Sequence, residues 1–471
     1  MMNMKKNFIM IMFANIICLC INLITNFIIP KYVSIETYSL IKTYALYITY
    51  AGFFSLGYND GMYLRYGGKK IKEISKEDIA VNFFNYIILI FLMAILVLFV
   101  GIALRNSVLI AFAFGMAVGN ILGYLKSLYQ ATGEFKLYGK ALNIEKITIF
   151  IANLILIFII HADNYMYFIW CQIILGVLIN LILLMKLEKN LKFITYCKFS
   201  MKAYIENIKS GFILMLGNFS SGFFTGIDRW FVKILLTTTH FALYSFAASM
   251  ESFVNVFVSP ITVTMYNYFC KEISAFQIRK TKNICLIWGF FLIASAYPAK
   301  WILENYLTEY MGANMIIFLL FAAQVFYIIV KGIYVNLYKA EKKQNKYLFQ
   351  MIIMTCIAIV LNFILFKIFK NMESIAIATL VTSCIWMLLC EIECKNYRFS
   401  AMEYLYIVIG IVLFLYTGYK TNALLGIVVY FLGMSTLSLI LMKSSMIDIK
   451  NYVVDFIKEK RMKKNECISK D

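Results

Sequence analysis

Proline is nearly absent from this sequence: 471 residues contain three, Pro30, Pro260 and Pro298. Helices can therefore run long without the lost hydrogen bond and ring clash that an internal proline imposes. Charge is scarce as well, with Asp, Glu, Lys and Arg making up 15% of the chain, against about 25% in soluble domains. Histidine occurs twice, at His161 and His240, and neither stands in a metal-binding motif. What fills the chain is apolar: 62% hydrophobic residues and a mean hydropathy of +0.78. A soluble protein of this composition lacks polar material for its surface, so lipid is the expected solvent.

Acidic residues are the rarer charge, 25 against 45 basic, which leaves a net charge of +20. The basic residues sit in short clusters between apolar runs, which suits an anionic membrane surface better than nucleic acid. No nucleic-acid partner is expected. The eleven cysteines lie mostly inside apolar runs, where Cys packs as a small hydrophobe. Neither Cys18-x-Cys20 nor Cys390-x3-Cys394 matches a zinc template, so no metal, disulfide or cofactor is expected. The apolar stretch from Phe8 to about Ile29 follows Lys5 and Lys6 as in a signal peptide. It exceeds the ~7–15 residues of a signal core and no small-residue cleavage site follows, so it reads as an uncleaved first span.

A span needs about 20 apolar residues. The pattern predicts spans at 8–29, 38–57, 79–100, 107–125, 142–160, 165–185, 210–235, 240–265, 284–302, 314–335, 348–368, 372–393, 402–419 and 422–442. The fold class is thus an all-α membrane protein of about fourteen helices. With the N-terminus inside, inner segments hold about 34 Lys and Arg and outer segments about eight. Lys282 is counted with an inner loop and Lys300 with an outer one. Both termini are then cytoplasmic. Every loop is short, so there is no outer catalytic domain and no nucleotide-binding domain. Gly67-Gly68-Lys69-Lys70 lacks the longer frame of a phosphate-binding loop. Residues Ile449, Tyr452, Val453, Phe456 and Ile457 recur at helical spacing among basic residues, which fits either an interfacial helix or a frayed basic tail.

The two halves echo each other. Leu128-Tyr129-x-Ala131 recurs as Leu337-Tyr338-x-Ala340, and Asn153 matches Asn362 at the same offset of 209. Tyr38-Ser39 is followed 206 residues later by Tyr244-Ser245. These matches predict six-helix bundles at 1–208 and 209–400, two extra helices at 401–443 and a basic tail at 444–471. Parallel repeats of this kind are a transporter architecture, with the substrate path between halves.

Several stretches resemble the Wzx-type oligosaccharide flippases of the multidrug/oligosaccharidyl-lipid/polysaccharide (MOP) superfamily. Pro30 to Arg65, with its Tyr38-Ser39 opening and Ser55-Leu56-Gly57 exit, is similar to their first two spans. Tyr129-Gln-Ala-Thr-Gly-Glu-Phe-Lys-Leu-Tyr138 is similar to their basic loop before the fifth span. Asp228-Arg229 followed by Tyr244-Ser-Phe-Ala247 resembles the start of their second half, and Leu361-Asn362 with Ile375-Ala-Ile-Ala-Thr379 their eleventh and twelfth spans. Where relatives carry Gly-Ala-Ala before Ile-Ala-Thr, this chain has Glu373-Ser-Ile-Ala. The resemblance implies a flippase of the bacterial cytoplasmic membrane. Its substrate would be an undecaprenyl-pyrophosphate-linked oligosaccharide, moved from inner to outer leaflet by alternating access. Membrane lipids and a polysaccharide polymerase would be its partners.

Charges within spans are the candidate site residues, because a charge at a span centre costs about 2.5–3.5 kcal/mol on insertion scales. Arg229 is the candidate phosphate ligand, since its planar fork suits bidentate contacts; pairing with Asp228 or snorkelling outward is the alternative. Lys42 and Arg65 are further candidates for the substrate head group, with snorkelling and inner-surface anchoring as alternatives. Asp228, Glu251 and Asp60 are candidates for a coupling ion or a charge pair. Gly115, Gly119 and Gly123 form a small-residue face expected to pack against another helix. Besides the flippase, the sequence admits a cation-coupled multidrug or metabolite antiporter and a lipid II flippase. A polymerase or ligase is disfavoured by the missing outer loop, so no enzymatic activity is expected.

Overall fold

Helix starts follow from single polar residues placed ahead of apolar runs. Ser34, Ser75, Asn106, Asn164, Ser200, Asn371 and Asn422 each accept a hydrogen bond from a first-turn N–H through their side chain. Ser274 and Ser400 do so in reciprocal capping boxes with Gln277 and Glu403. Such caps satisfy donors that the helix itself leaves unpaired.

The computed structural model describes residues 17–18, 20–270 and 274–451. Among them the fold is all-α. Helix α1 is described over 20–32. It is followed by α2 (Ile35–Thr49), α3 (Tyr58–Tyr66), α4 (Lys76–Ala103), α5 (Ser107–Ala131), α6 (Phe135–Phe158), α7 (Tyr165–Leu191) and α8 (Met201–Leu235). Next come α9 (Thr238–Phe269), α10 (Ala275–Ile293), α11 (Ala296–Asn305), α12 (Asn314–Ile329), α13 (Val335–Ala340), α14 (Gln344–Phe369), α15 (Met372–Glu393), α16 (Ala401–Lys420) and α17 (Ala423–Leu441). A last helix, α18, is described over 443–451. The expected tail positions Tyr452, Val453, Phe456 and Ile457 lie outside the described residues, as do Lys5 and Lys6.

Ten helical stretches among the described residues are long and apolar enough to cross a membrane. Bulky side chains such as Phe99, Ile155, Ile182, Phe363 and Ile440 are exposed along them, as a lipid-facing surface requires. This is a multi-pass membrane protein. Of the fourteen expected spans, the first is partly outside the described residues, the second is broken after Thr49, and the two held by α8 and α9 are not among the ten. The expected span 284–302 divides into α10 and α11 at Ala294 and Ser295. The expected span 314–335 continues from α12 through a π-helical turn, Val330–Tyr334, into α13.

The chain forms two compact units, residues 1–245 and 246–471. In the first, α3 lies against α8 at backbone distance. A Cβ on Gly61 would fall 2.0 Å from the Asn207 carbonyl oxygen, and one on Gly211 would fall 2.0 Å from the Gly57 carbonyl oxygen. The expected glycine face on α5 contributes less. A Cβ on Gly115 would meet the Tyr44 side chain first, and nothing lies within 4 Å of where a Cβ would sit on Gly119 or Gly123.

In the second unit the stretch Thr308–Ala340 is the central column, with 89% of its apolar window buried against 17% for α14. Its C-terminal end is held by charge. Lys282 is a buried residue of α10, not the loop cation expected from its neighbours Arg279 and Lys280. Its Nζ reaches Glu391 Oε1 at 2.7 Å and Tyr334 Oη at 3.2 Å, donates to the Tyr397 carbonyl and lies 3.6 Å from the Phe399 ring centroid. Lys300, expected in an outer loop, is likewise buried, donating to the Gly418 carbonyl at 2.7 Å and to that of Thr421. Hydropathy begins this span after Lys282; pairing with Glu391 lets the helix carry the lysine inside the protein.

Two measurements test this packing. Gly61→Ala should lower thermal stability in detergent by about 1–3 kcal/mol, whereas Gly217→Ala, with nothing within 4 Å, should leave it unchanged. Lys282→Met alone should cost about 3–5 kcal/mol by stranding Glu391, and adding Glu391→Leu should recover part of that loss. A double mutant no better than the single would refute the pairing.

Candidate functional site

The break in the second expected span organises the first unit's candidate site. After α2 the chain makes a 3-10 turn, Ala51–Ser55, then turns through Leu56 and Gly57 at φ +49° and +80° before α3 begins. A β-carbon makes the first of these left-handed positions costly; glycine relieves the second. The freed backbone acceptors are satisfied inside the protein. Asn120 Nδ2 donates to the Ala51 carbonyl at 2.9 Å and Ser55 Oγ to that of Gly52 at 2.7 Å. Irregular backbone at membrane depth is tolerated where protein or a cavity takes the place of lipid.

The turn presents aromatic rings toward α8. They border a cavity of about 390 Å³ lined by Tyr47, Tyr50, Phe53, Phe219, Phe223, Trp230 and neighbouring apolar side chains. Tyr47 stacks on Trp230 with centroids 5.7 Å apart and ring planes 20° apart. Tyr50 lies 5.8 Å from Trp230 and Phe53 4.6 Å from Phe219.

Arg229 stands beside this cavity. Asp228 is buried next to it but makes no ion pair with its guanidinium. Asp228 Oδ1 accepts the Arg229 backbone N–H at 2.8 Å, and Oδ2 accepts the Tyr244 hydroxyl at 2.8 Å. Among the described residues no carboxylate lies within ion-pair distance of Arg229, and its buried Nε has no hydrogen-bond partner. Gly226, one turn earlier, leaves room. A Cβ there would lie 2.6 Å from the Tyr50 hydroxyl and 3.2 Å from Arg229 Nη2. A guanidinium and a phenol thus both pack close to Gly226 at the edge of the aromatic cavity. Lys42 is within electrostatic reach of Arg229; its Nζ donates to Asn26 Oδ1 at 2.9 Å and lies 5.3 Å from the Tyr38 ring centroid.

The other candidates fall elsewhere. Asp60 on α3 accepts from Asn218 Nδ2 on α8 at 3.3 Å. Arg65 is ion-paired to Asp78 at 2.7 Å and Glu206 at 3.5 Å. Glu251 belongs to the second unit, where Gln324 Nε2 donates to it and Lys331 is its electrostatic neighbour. Lys331 sits in the π-helical turn, 4.9 Å from the Tyr327 ring centroid; such turns recur at functional sites. Sequence reasoning did not single out Tyr50, Gln324 or the Asp228–Tyr244 bond. The glycine pair flanking Phe53-Phe54, Gly52 and Gly57, was the available signal for a broken span.

No protein-family model and no curated protein sequence matches the chain. Solved structures do match it. One is the lipid II flippase MurJ in an inward closed conformation, with a TM-score of 0.62 at 14% identity, covering 93% of this chain and 100% of that one. Another is a multidrug resistance MATE family transporter of the MOP superfamily in an inward-facing conformation, with a TM-score of 0.56 at 9% identity, covering 80% of this chain and 95% of that one. The chain has the fold of the MOP superfamily transporters. At these identities the likeness is one of fold.

Tyr244→Phe should strand a buried Asp228 oxygen and cost about 1–3 kcal/mol. Thermal unfolding in detergent reads this directly; an unchanged midpoint would show that the bond contributes nothing.

Proposed function

We propose that this protein is a flippase that moves a polyprenyl-pyrophosphate-linked saccharide from the inner to the outer leaflet by alternating access. The observation that carries the reading is Arg229 standing beside the aromatic cavity without a carboxylate partner among the described residues. A pyrophosphate leaving water needs charge-assisted donors, and a guanidinium offers two in parallel. Aromatic faces such as Tyr50 and Trp230 suit the apolar faces of sugar rings. A cationic drug would instead call for unpaired carboxylates here, and Asp228 is occupied by Tyr244.

In this reading Arg229 binds pyrophosphate, Lys42 adds positive potential and Arg65 attracts the head group at the inner surface. Asp228 orients the Arg229 backbone, while Glu251 and Asp60 are candidates for the coupling ion. The architecture is fourteen spans in two six-helix repeats with two additional helices, both termini being cytoplasmic. Local geometry supports the repeat. Phe199 and Tyr204 at the start of α8 pair at 6.2 Å, and Phe399 and Tyr404 at the start of α16 pair at 5.9 Å. Among lipid-linked substrates, the near-complete overlap with the lipid II flippase fold favours lipid II over the undecaprenyl-pyrophosphate-linked oligosaccharide that the motifs suggest. A polymerase acting on the outer leaflet would be the downstream partner in the oligosaccharide case. A second reading, a cation-coupled antiporter, is favoured by Glu251 with Gln324 and Lys331 around it.

Arg229→Ala should lower translocation of fluorescent lipid-linked saccharide in proteoliposomes by at least about tenfold, the loss of one charge-assisted contact. Normal flipping by this variant at wild-type abundance would refute the assignment. Deleting the gene and weighing the lipid-linked intermediates that accumulate would separate lipid II from an oligosaccharide unit. No accumulation in a strain without a redundant flippase would favour the antiporter.

A further inference from the structure

In the second unit a groove of about 420 Å³ runs between α12, α15 and α16. Its floor is Phe326, Met387 and Ile407, all buried, and its rim is Leu388, Val408 and Val412, all exposed. No charged side chain lines it. Both α15 and α16 are long and apolar enough to cross a membrane, so the groove opens toward hydrocarbon. From Tyr404 to Val412 its lining extends over about 12 Å of helix, at about 1.5 Å per residue. The hydrocarbon of one leaflet is about 15 Å deep, half of a core of about 30 Å. An acyl chain confined to one leaflet fits this length, whereas a polyprenyl chain of bilayer length overruns it.

The mouth beside Tyr404 selects the lipid. Residues 394–400 join two spans and therefore sit in the headgroup layer. They carry Lys395 and Arg398, both exposed. Arg398 is held against the end of α15, its Nε donating to the Glu391 carbonyl at 2.8 Å and its Nη2 to that of Ile392 at 3.4 Å. It is also an electrostatic neighbour of Tyr404, the first groove residue of α16. The carboxylates closest in sequence are engaged by other cations: Glu391 by Lys282, Glu393 by Lys346 and Glu403 by Arg279. Among the described residues neither Lys395 nor Arg398 has an ion pair. An anionic headgroup complements these two cations, whereas the ammonium of a zwitterionic one meets like charge.

We propose that this groove binds an acidic phospholipid of the surrounding bilayer. One acyl chain lies along Phe326, Met387 and Ile407, and the phosphate sits at Arg398 and Lys395. The lipid touches α15, α16 and the connection between them, so its binding stabilises that pair of helices. The site is confined to the second unit and does not depend on which substrate the protein moves.

The test uses purified full-length protein in detergent. Its thermal midpoint is followed as dioctanoyl-phosphatidylglycerol or dioctanoyl-phosphatidylcholine is added. Wild type should show a saturable rise with phosphatidylglycerol, half-maximal at a concentration at least about tenfold below that for phosphatidylcholine. Lys395→Gln, at an exposed position, should raise the phosphatidylglycerol half-maximum about fivefold, the effect of one cation at an anionic headgroup. Val408→Trp, at the exposed rim, fills the groove and should raise it at least about tenfold. A wild-type midpoint with no saturable response to phosphatidylglycerol would overturn the proposal. So would equal responses to the two lipids, or wild-type behaviour in both folded variants. A response to undecaprenyl phosphate at lower concentration, weakened by Val408→Trp, would assign the groove to a carrier lipid and overturn it as well. Should Val408→Trp not fold, the Lys395→Gln comparison decides alone.

Discussion

A backbone amide inside hydrocarbon must find its partner within the protein, and this constraint orders everything else in the molecule. Each unsatisfied group costs several kcal/mol in lipid, so unbroken helices are the rule. The departures are informative because each must be compensated. Between Thr49 and Tyr58 the helical ladder lapses, and Asn120 and Ser55 supply bonds the helix no longer makes. The polar Asn120 of α5 is thereby explained by a break in a different helix. The turn places Tyr50 and Phe53 beside α8, where regular helix would have continued its own spiral.

Charge inside the two units obeys the same logic with different partners. Lys282 and Lys300 are buried, yet each is saturated by carboxylates, carbonyls or both. Arg65 is saturated at its own helix end. Arg229 is treated otherwise: its neighbour Asp228 turns to a backbone N–H and a tyrosine hydroxyl. Among the described residues no carboxylate takes that place beside the Arg229 guanidinium, and the anion role proposed for it rests on this difference.

The helical class and most of the apolar spans were legible in the sequence, because lipid-facing helices need composition and length and little else. Span ends were less so. Lys282 reads as a loop residue beside Arg279 and Lys280, since its partner Glu391 is remote in sequence. The break after Thr49 was hidden because Ala, Gly, Phe and Leu continue the apolar signal through it. The candidate site was legible as isolated charges at Arg229, Asp228 and Lys42. Their distinct surroundings were not, since a hydroxyl such as that of Tyr244 carries no signal of its destination. Gly119 and Gly123 show the converse: helical spacing of small residues is visible, and whether a neighbour uses it is not.

The buried Lys282–Glu391 pair spans 109 residues of sequence, and this has a consequence for biosynthesis. The lysine leaves the ribosome long before its carboxylate. Until α15 is made, α10 carries a charge without its carboxylate, which hydrocarbon penalises, so its N-terminal half is expected to wait in the headgroup layer or beside the translocation machinery. Completion of α15 releases it to sink to its final depth. The second unit therefore closes late in translation, after α12 and α14 have been inserted.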